Sequence, residues 1–255
     1  MRDIFIGDVH GCIEELDLLI DKLELRKGDL LHFVGDLVDR GPDSRAVIRR
    51  ARELLCAYPG SDAVAGNHES KVLEQRKKGI YKEPWTPDAL DDEWRFLASL
   101  PLLKRLNING HQVIVVHAGF FPKFFVDYAE DGLNRIRDDW HKGGGKYMSR
   151  ARRFLRVRYV NPEGNMVALG QEKPGDYFWA EGYDGAQGYV FYGHQPYLKP
   201  PIPRSWNHAC GIDTGCCFGG RLTAAIVVDD PQRAKFVSVD ALDVYAEPRE
   251  DWIEG

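Results

Sequence analysis

The chain has 255 residues, of which 44% are apolar and 29% charged, and its formal net charge is -5. This length and apolar content fit one large domain or two small ones with an ample core. The mild negative charge argues against a protein whose whole surface binds nucleic acid, although it is compatible with a local basic patch.

The sequence favours a cytoplasmic protein without a membrane partner. No apolar segment approaches the length of a membrane span, and the first residues lack the basic and apolar regions of a secretory signal. The five cysteines are scattered and odd in number, which does not suit a disulfide framework and fits a reducing compartment. The oligomeric state stays open.

The N-terminal third alternates short apolar strands with amphipathic helices. Strands are predicted over residues 4–7, 29–36 and 61–67, and helices over 13–25, 45–57 and 70–78. Pro42 and Asp43 form a start signal for the second helix. This alternation is typical of an α/β fold with a parallel sheet.

The remaining sequence changes in character. Residues 79–100 favour a mostly helical segment, a hairpin is predicted to turn at Asn109-Gly110, and the strand after it ends at His117. Residues 120–188 are irregular, whereas short strands recur from "GYVFYGH" to "AKFVSVDA". We therefore expect one domain over residues 1–255, with two facing mixed β-sheets flanked by helices and with 120–188 as a cap-like lid that selects the substrate.

Five predicted strands end in Asp, Asn or His, usually beside a glycine. The polar residues at these ends are Asp8, His10, Asp36, Asp39, Asn67, His68, His117 and His194. Each one alone is explained more simply as a helix cap or a hydrogen-bonded histidine. Because open α/β sheets gather ligand sites at the carboxyl ends of their strands, the joint occurrence indicates one shared site.

This series of motifs resembles the calcineurin-like metallophosphoesterases. The Asp39-Arg40-Gly41 ending and the Gly66-Asn67-His68-Glu69 run are similar to the phosphoprotein-phosphatase-type branch. Within it, "FWAEGYDGAQGYVFYGHQP" and "GIDTGCCFGGRLT" most resemble bacterial symmetrical dinucleoside-tetraphosphate hydrolases, with bacterial polynucleotide kinase–phosphatase modules and bacteriophage protein phosphatases also similar. The resemblance implies the metallophosphatase fold.

The resemblance also implies a metal site with two divalent ions. Manganese is expected, with iron, zinc, cobalt and nickel as alternatives, because carboxylate oxygens and imidazoles suit these metals. The implied ligands are Asp8 and His10 for the first metal, Asp36 bridging both, and Asn67, His117 and His194 for the second.

Three further residues have catalytic roles by resemblance. His68 is expected to protonate the leaving oxygen, Asp39 to orient it, and Arg40 to bind phosphate oxygens through its guanidinium fork. The alternatives are a hydrogen-bonding role for His68 outside the chemistry and a structural salt bridge for Arg40.

A substrate-binding edge is predicted in the run "SRARRFLRVR" and in the aromatic segment after it. The candidates are Arg150, Arg153, Arg156 and Trp179, since arginines bind phosphate and an aromatic ring can stack on a nucleobase. The alternatives are a solvated basic face and aromatic side chains that pack the lid.

The sequence therefore predicts a phosphoester or phosphoanhydride hydrolase. The leading reaction is symmetrical hydrolysis of diadenosine tetraphosphate (Ap4A) by a metal-bridging hydroxide with a histidine general acid. The alternatives are a serine/threonine or dual-specificity protein phosphatase, an RNA 5′-end hydrolase, and a non-catalytic phosphate-binding module, against which the intact ligand set argues.

Overall fold

The computed structural model describes residues 1–81, 85, 91–119 and 153–249. Two five-stranded sheets lie face to face, and a three-stranded sheet lies beside them. Within the described ranges, no helix is both long and apolar enough to cross a lipid bilayer.

The first sheet carries the N-terminal motifs and has the strand order β13-β12-β1-β2-β3. Its strands are β1 (Asp3–Ile6), β2 (Leu30–Phe33), β3 (Asp62–Ala63), β12 (Arg221–Val227) and β13 (Lys235–Asp240). The neighbours β1, β2 and β3 are parallel, as predicted, whereas β12 pairs antiparallel with β1. Their carboxyl ends therefore meet at one edge.

The second sheet has the strand order β10-β11-β9-β5-β4. Its strands are β4 (Leu103–Ile108), β5 (His111–Val116), β9 (Tyr189–Tyr192), β10 (Arg204–Ser205) and β11 (Ala209–Gly211). The hairpin between β4 and β5 turns at Asn109 and Gly110, whose φ angles of 49° and 91° confirm the predicted turn. Strands β5, β9 and β11 are parallel neighbours.

The two sheets pack through their apolar inner faces. Phe5 of β1 stacks on Phe191 of β9 with a ring-centroid distance of 4.0 Å. Its neighbours Ile4 and Ile6 belong to a different apolar cluster from Phe5, and that cluster also contains the buried face of the first helix. This alternation along one strand confirms two facing mixed sheets flanked by helices.

Four α-helices lie within the described ranges, namely α1 (Ile13–Leu23), α2 (Ser44–Ala57), α3 (Asn67–Lys77) and α4 (Asp91–Ser99). Helix α2 begins where predicted, since the Asp43 carboxylate accepts a hydrogen bond from the Ala46 N–H at 2.8 Å. Helix α3 begins three residues earlier than predicted, because the Glu69 carboxylate accepts the Gly66 N–H at 2.7 Å. Asn67 and His68 consequently lie in the first turn of a helix rather than in a loop.

The small sheet lies in the segment predicted as a lid. It has the order β7-β6-β8, formed by β6 (Tyr159–Val160), β7 (Met166–Val167) and β8 (Tyr177–Phe178), and a 3₁₀ turn follows at Trp179–Glu181. Residues 120–152 of the predicted lid, including Arg150, lie outside the described residues. The same holds for residues 82–84 and 86–90 of the segment predicted as mostly helical.

A buried histidine connects the three parallel strands. His32 of β2 lies 3.0 Å from Asp3 Oδ1 through Nε2 and 3.0 Å from Asp62 Oδ1 through Nδ1. Although burial opposes the charge, the two carboxylates raise the pKa of His32 overall. Both ring nitrogens therefore donate, which fits an imidazolium between two carboxylates.

Candidate metal centre and active site

The loops after the strands hold their functional residues in unusual backbone conformations. Seven non-glycine residues in the described part have a positive φ, a region that side chains other than glycine rarely adopt. Five of the seven are predicted site residues: His10, Asp36, Asp39, Arg40 and His194. Such strain persists only where the surroundings enforce it, and it concentrates at functional sites.

Asp36 lies at the centre of the predicted ligands. Its Oδ2 atom is 3.3 Å from His117 Nε2 and 3.5 Å from His10 Nε2, and its Oδ1 accepts the His68 N–H at 2.8 Å. Burial alone would raise the pKa of Asp36, but the nearby histidines, His117 foremost, hold it well below its ordinary value. Asp36 is therefore an anion shared between two groups of imidazoles.

The first group contains the residues after β1. His10 donates from Nδ1 to the Val38 carbonyl at 2.9 Å, which leaves Nε2 as the nitrogen that faces the site. Asp8 accepts the His194 N–H through Oδ2 at 3.0 Å. Burial, reinforced by the charges of Asp213 and Asp36, raises the pKa of Asp8 well above its ordinary value.

The second group contains residues from α3 and from the second sheet. His117 donates from Nδ1 to the Val34 carbonyl at 3.0 Å, and its Nε2 lies 3.0 Å from Asn67 Oδ1. The His117 and His194 rings are 5.0 Å apart. The bond to a backbone carbonyl thus orients the His117 ring and turns Nε2 toward Asn67 and Asp36, as the outer partners of metal ligands do.

These residues fit a pair of divalent cations. Two sets of potential ligand atoms each lie within 4.8 Å of one another, one from His10, Asp36 and His68 and the other from Asp36, His117 and His194. Asp8 Oδ1 and His194 Nε2 are buried without a hydrogen-bond partner among the described residues, which is costly unless another group binds them. Carboxylate oxygens with imidazoles are a donor set for first-row transition metals.

Two glycines make room for the carboxylates of this site. A Cβ added to Gly66 would overlap Asp36 Oδ1, and a Cβ added to Gly193 would overlap Asp8 Oδ1. The glycines beside the predicted ligands are therefore required by close approach of the backbone to a charged side chain.

A carboxylate holds the imidazole of His68 through Nδ1. Its Nδ1 donates to Asp39 Oδ2 at 2.9 Å, and the same oxygen accepts from Lys71 Nζ at 2.8 Å. Burial would raise the pKa of Asp39, but His68 and Lys71 lower it to about 2. The contact with Asp39 orients the His68 ring through Nδ1 and leaves Nε2 as the nitrogen available for proton transfer.

Two arginines line the same site. Arg40 donates from Nη1 to His10 Nε2 at 2.8 Å, and its guanidinium lies 4.8 Å from the centre of the Phe218 ring. Arg158 is only 8% exposed and donates to Gln195 Oε1 at 2.6 Å and to the His194 carbonyl at 2.9 Å. Burial lowers the pKa of Arg158 to about 10, so it is still a cation at neutral pH.

A cavity of about 490 Å³ opens over these groups. The cationic side chains that line it are Arg40, Lys71, Arg156, Arg158 and Arg249. The one carboxylate among the described lining residues is Asp36, which is itself a predicted metal ligand. The electrostatic field of the cavity favours an anionic ligand.

The predicted substrate residues have different surroundings. Arg156 lines the cavity, whereas Arg153 is exposed and is not among the lining residues. Trp179 is 2% exposed, its ring lies against Gly119, and its centroid is 5.0 Å from that of Tyr192. The substrate roles of Arg153, Arg156 and Trp179 stay predictions.

Two residues that organise the site are not among those predicted from the sequence. Arg158 was part of the arginine run, but nothing local distinguished it from its neighbours. Glu69 accepts the N–H groups of Asp36 and Leu37 at 3.0 and 2.8 Å, and so fixes the loop after β2. The available signal for Glu69 was its position three residues after Gly66, typical of a helix-start carboxylate.

Comparisons with known proteins agree with this geometry. A family model described as calcineurin-like phosphoesterase matches residues 1–214. An asymmetrical bis(5′-nucleosyl)-tetraphosphatase, PrpE, from Oceanobacillus iheyensis is 32% identical over 250 residues, which cover 88% of each chain. A symmetrical bis(5′-nucleosyl)-tetraphosphatase from Shigella dysenteriae is 28% identical over 262 residues, covering 88% of this chain and 90% of the relative. A solved structure assigned provisionally as a diadenosine tetraphosphatase is 28% identical, with a TM-score of 0.68 over 95% of this chain and 94% of that chain.

Proposed function

We propose, since the chain belongs to the calcineurin-like phosphoesterase family, that it hydrolyses a phosphoanhydride bond in dinucleoside tetraphosphates. Family membership makes it a metal-dependent phosphoester hydrolase, and the proposal concerns its substrate. The bis(5′-nucleosyl)-tetraphosphatase names of relatives that align over most of the chain support this choice.

One observation supports the proposal most strongly. Asp36 is shared by two imidazole-rich groups, and it lines a cavity together with five cationic side chains. A two-metal centre suits attack on phosphorus, and the surrounding positive charge suits a substrate with several phosphates in a row.

Two divalent ions, when bound, supply Lewis acidity and lower the pKa of a bound water molecule to a value near neutrality. The residues proposed to hold them are Asp8, His10, Asp36, Asn67, His117 and His194. Manganese is proposed for both positions, because the donor set mixes carboxylates, an amide and imidazoles. Measuring bound metal by mass spectrometry after purification without added metal tests this assignment.

The side chains around the metals have proposed roles of their own. Arg40 and Arg158 bind oxygens of the reacting phosphate through their guanidinium groups. His68 Nε2 donates its proton to the departing oxygen, and Asp39 keeps the His68 ring oriented through the 2.9 Å contact with Nδ1.

The position of the cut is tested by the products formed from diadenosine tetraphosphate. Symmetrical cleavage, which the sequence predicts, gives two ADP molecules, whereas asymmetrical cleavage gives ATP and AMP. Chromatography of an early time point distinguishes these outcomes before any second reaction. ATP with AMP would match the name of the Oceanobacillus relative and would replace the symmetrical assignment.

A substrate panel tests the proposed class against the alternatives. Diadenosine tetraphosphate, a phosphopeptide and capped RNA are compared under one manganese condition, with p-nitrophenyl phosphate as a probe of basic phosphatase chemistry. A higher kcat/KM for the phosphopeptide would support a protein phosphatase and overturn the proposal. A higher kcat/KM for capped RNA would support an RNA 5′-end hydrolase. No turnover of any substrate by metal-loaded protein would favour a phosphate-binding module.

We also propose that the activity belongs to one domain in the cytoplasm. One apolar cluster contains buried residues from both large sheets, which supports a single domain. The cysteines Cys12, Cys56, Cys210, Cys216 and Cys217 are all free, which suits a reducing compartment.

A further inference from the structure

We propose that Cys12, Glu15 and Cys216, here called the thiol cluster, form a metal site of their own that binds a zinc ion. The cluster shares no residue with the predicted catalytic ligands, and it offers two sulfur donors where the catalytic set has none. The ion would fasten the loop after β1 to the loop before β12. This inference goes beyond the proposed function and does not depend on it.

Two segments of the fold bring the thiol cluster together. Cys12 immediately precedes α1, Glu15 lies in the first turn of that helix, and Cys216 lies in the loop between β11 and β12. The potential ligand atoms of the three side chains all lie within 4.8 Å of one another. Zinc binds sulfur at about 2.3 Å and carboxylate oxygen at about 2.0–2.2 Å, which places ligand atoms on one ion roughly 3.5–4 Å apart. The three side chains therefore need only small shifts to share an ion.

Glu15 supplies an observation that points to a cation at this place. It is fully buried, and its Oε1 atom accepts the Leu242 N–H at 3.0 Å and the Tyr245 hydroxyl at 2.8 Å. Its Oε2 atom is buried without a hydrogen-bond partner, and no lysine or arginine in the described part of the chain forms an ion pair with Glu15. A carboxylate oxygen buried in this way is costly, and a bound cation removes the cost.

The two thiols are enclosed in the fold beside this carboxylate. Cys12 and Cys216 are both buried, and the Cys12 thiol donates to the His10 carbonyl over a long distance of 3.8 Å. The contact with Cys12, together with burial, raises the pKa of Cys216, so this sulfur keeps its proton until a cation displaces it. Binding of zinc replaces the proton of each thiol, and the two protons are released to solvent.

The donor atoms determine which cation the cluster selects. Thiolates favour zinc over manganese, whereas the predicted catalytic ligands are carboxylates, an amide and imidazoles. Three protein ligands leave one position on zinc for a water molecule or another oxygen. The two kinds of site therefore sort different metals within one chain.

Cobalt substitution under reducing conditions tests the thiol cluster. A thiolate bound to Co²⁺ gives a charge-transfer absorption in the near ultraviolet, which oxygen and nitrogen ligands do not give. We expect this band in the wild type and its loss in Cys12→Ser and in Cys216→Ser. Wild-type protein should also retain about one equivalent of zinc per chain more than Cys216→Ser.

Two controls separate the thiol cluster from other cysteines and from the catalytic centre. Cys210→Ala should keep the band, because Cys210 is equally buried but lies outside the cluster. Asp36→Asn should also keep it, because Asp36 belongs only to the catalytic sets. A band that disappears in Asp36→Asn would assign the sulfur ligand to the catalytic centre and overturn the proposal.

X-ray absorption at the zinc edge of the wild-type protein gives a measurement that needs no variant. Sulfur neighbours at about 2.3 Å are expected, and a shell of oxygen and nitrogen alone would overturn the proposal. So would the absence of a charge-transfer band in the wild type, or a band that persists in both serine variants. None of these measurements uses turnover, so failure of the thiol cluster leaves the proposed substrate standing, and failure to cleave diadenosine tetraphosphate leaves the thiol cluster standing.

Discussion

Replacing His68 by asparagine should slow hydrolysis without removing the metals. The bond that links His68 to Asp36 comes from the backbone N–H, at 2.8 Å, so the substitution keeps it. The substitution removes the imidazole ring, which contacts Asp39 at 2.9 Å and lines the cavity. The variant therefore separates proton donation from the binding of metal.

The magnitude depends on the leaving group. General acid catalysis by a positioned imidazole contributes roughly 10²–10⁴-fold in rate, which corresponds to about 3–5 kcal/mol of the barrier. We expect this full loss in kcat for a substrate with a poor leaving group, such as phenyl phosphate. The loss should shrink to about tenfold for p-nitrophenyl phosphate, whose leaving oxygen needs little protonation.

Steady-state kinetics on the two aryl phosphates measures the difference, with bound metal quantified for each protein. His111→Asn is the matched control, since His111 is an exposed histidine at the start of β5 and is not among the residues that line the cavity. Equal losses on both substrates, with normal metal content, would refute the general-acid reasoning and indicate that His68 only positions its neighbours.

Three further predictions concern the bridging carboxylate, a glycine beside Asp8 and the buried histidine of the first sheet. Asp36→Asn should lose nearly all bound manganese and turnover, because a neutral amide replaces the carboxylate between the two imidazole groups, and wild-type metal content would contradict a bridging role. Gly193→Ala should weaken manganese binding and cost about 1–3 kcal/mol of unfolding free energy in urea denaturation, since its Cβ would overlap Asp8; an unchanged midpoint and metal affinity would refute this steric argument. The raised pKa of His32 stabilises the fold below the unfolded value of about 6.5 and ceases to do so as pH rises through the folded value. His32→Gln should therefore flatten the decline in unfolding free energy with rising pH, and a slope equal to that of the wild type would contradict the linkage.

The sequence predicted those parts of the fold that depend on local patterns. The strands of the first sheet, the start of α2 and the turn at Asn109 are determined by apolar periodicity, a capping aspartate and residues that adopt a positive φ. The start of α3 also has a local signal, Glu69 three residues after Gly66, but the predicted start lies three residues too late. It depends on Glu69, which also accepts the Asp36 N–H, and that partner is 33 positions away in the chain.

The arginine run shows the same limit for side-chain roles. Arg153, Arg156 and Arg158 are identical in chemistry and nearly adjacent, yet Arg153 lies off the cavity, Arg156 is exposed on its lining and Arg158 is buried. The difference for Arg158 comes from Gln195 and the His194 carbonyl, which another strand brings against it. Spacing within the run carries no information about those partners.

The joint occurrence of the motifs, by contrast, has a physical cause. The loops are bonded to one another through their backbones, since the His10 N–H donates to the Asp36 carbonyl at 2.8 Å and the Gly41 N–H donates to the His10 carbonyl at 2.7 Å. The His194 N–H adds the second sheet by donating to Asp8 at 3.0 Å. Because each loop fixes the left-handed conformation of its neighbour, a ligand in one loop is positioned only when the others are present. Single motifs in this sequence are therefore ambiguous, whereas the complete set specifies one preorganised site.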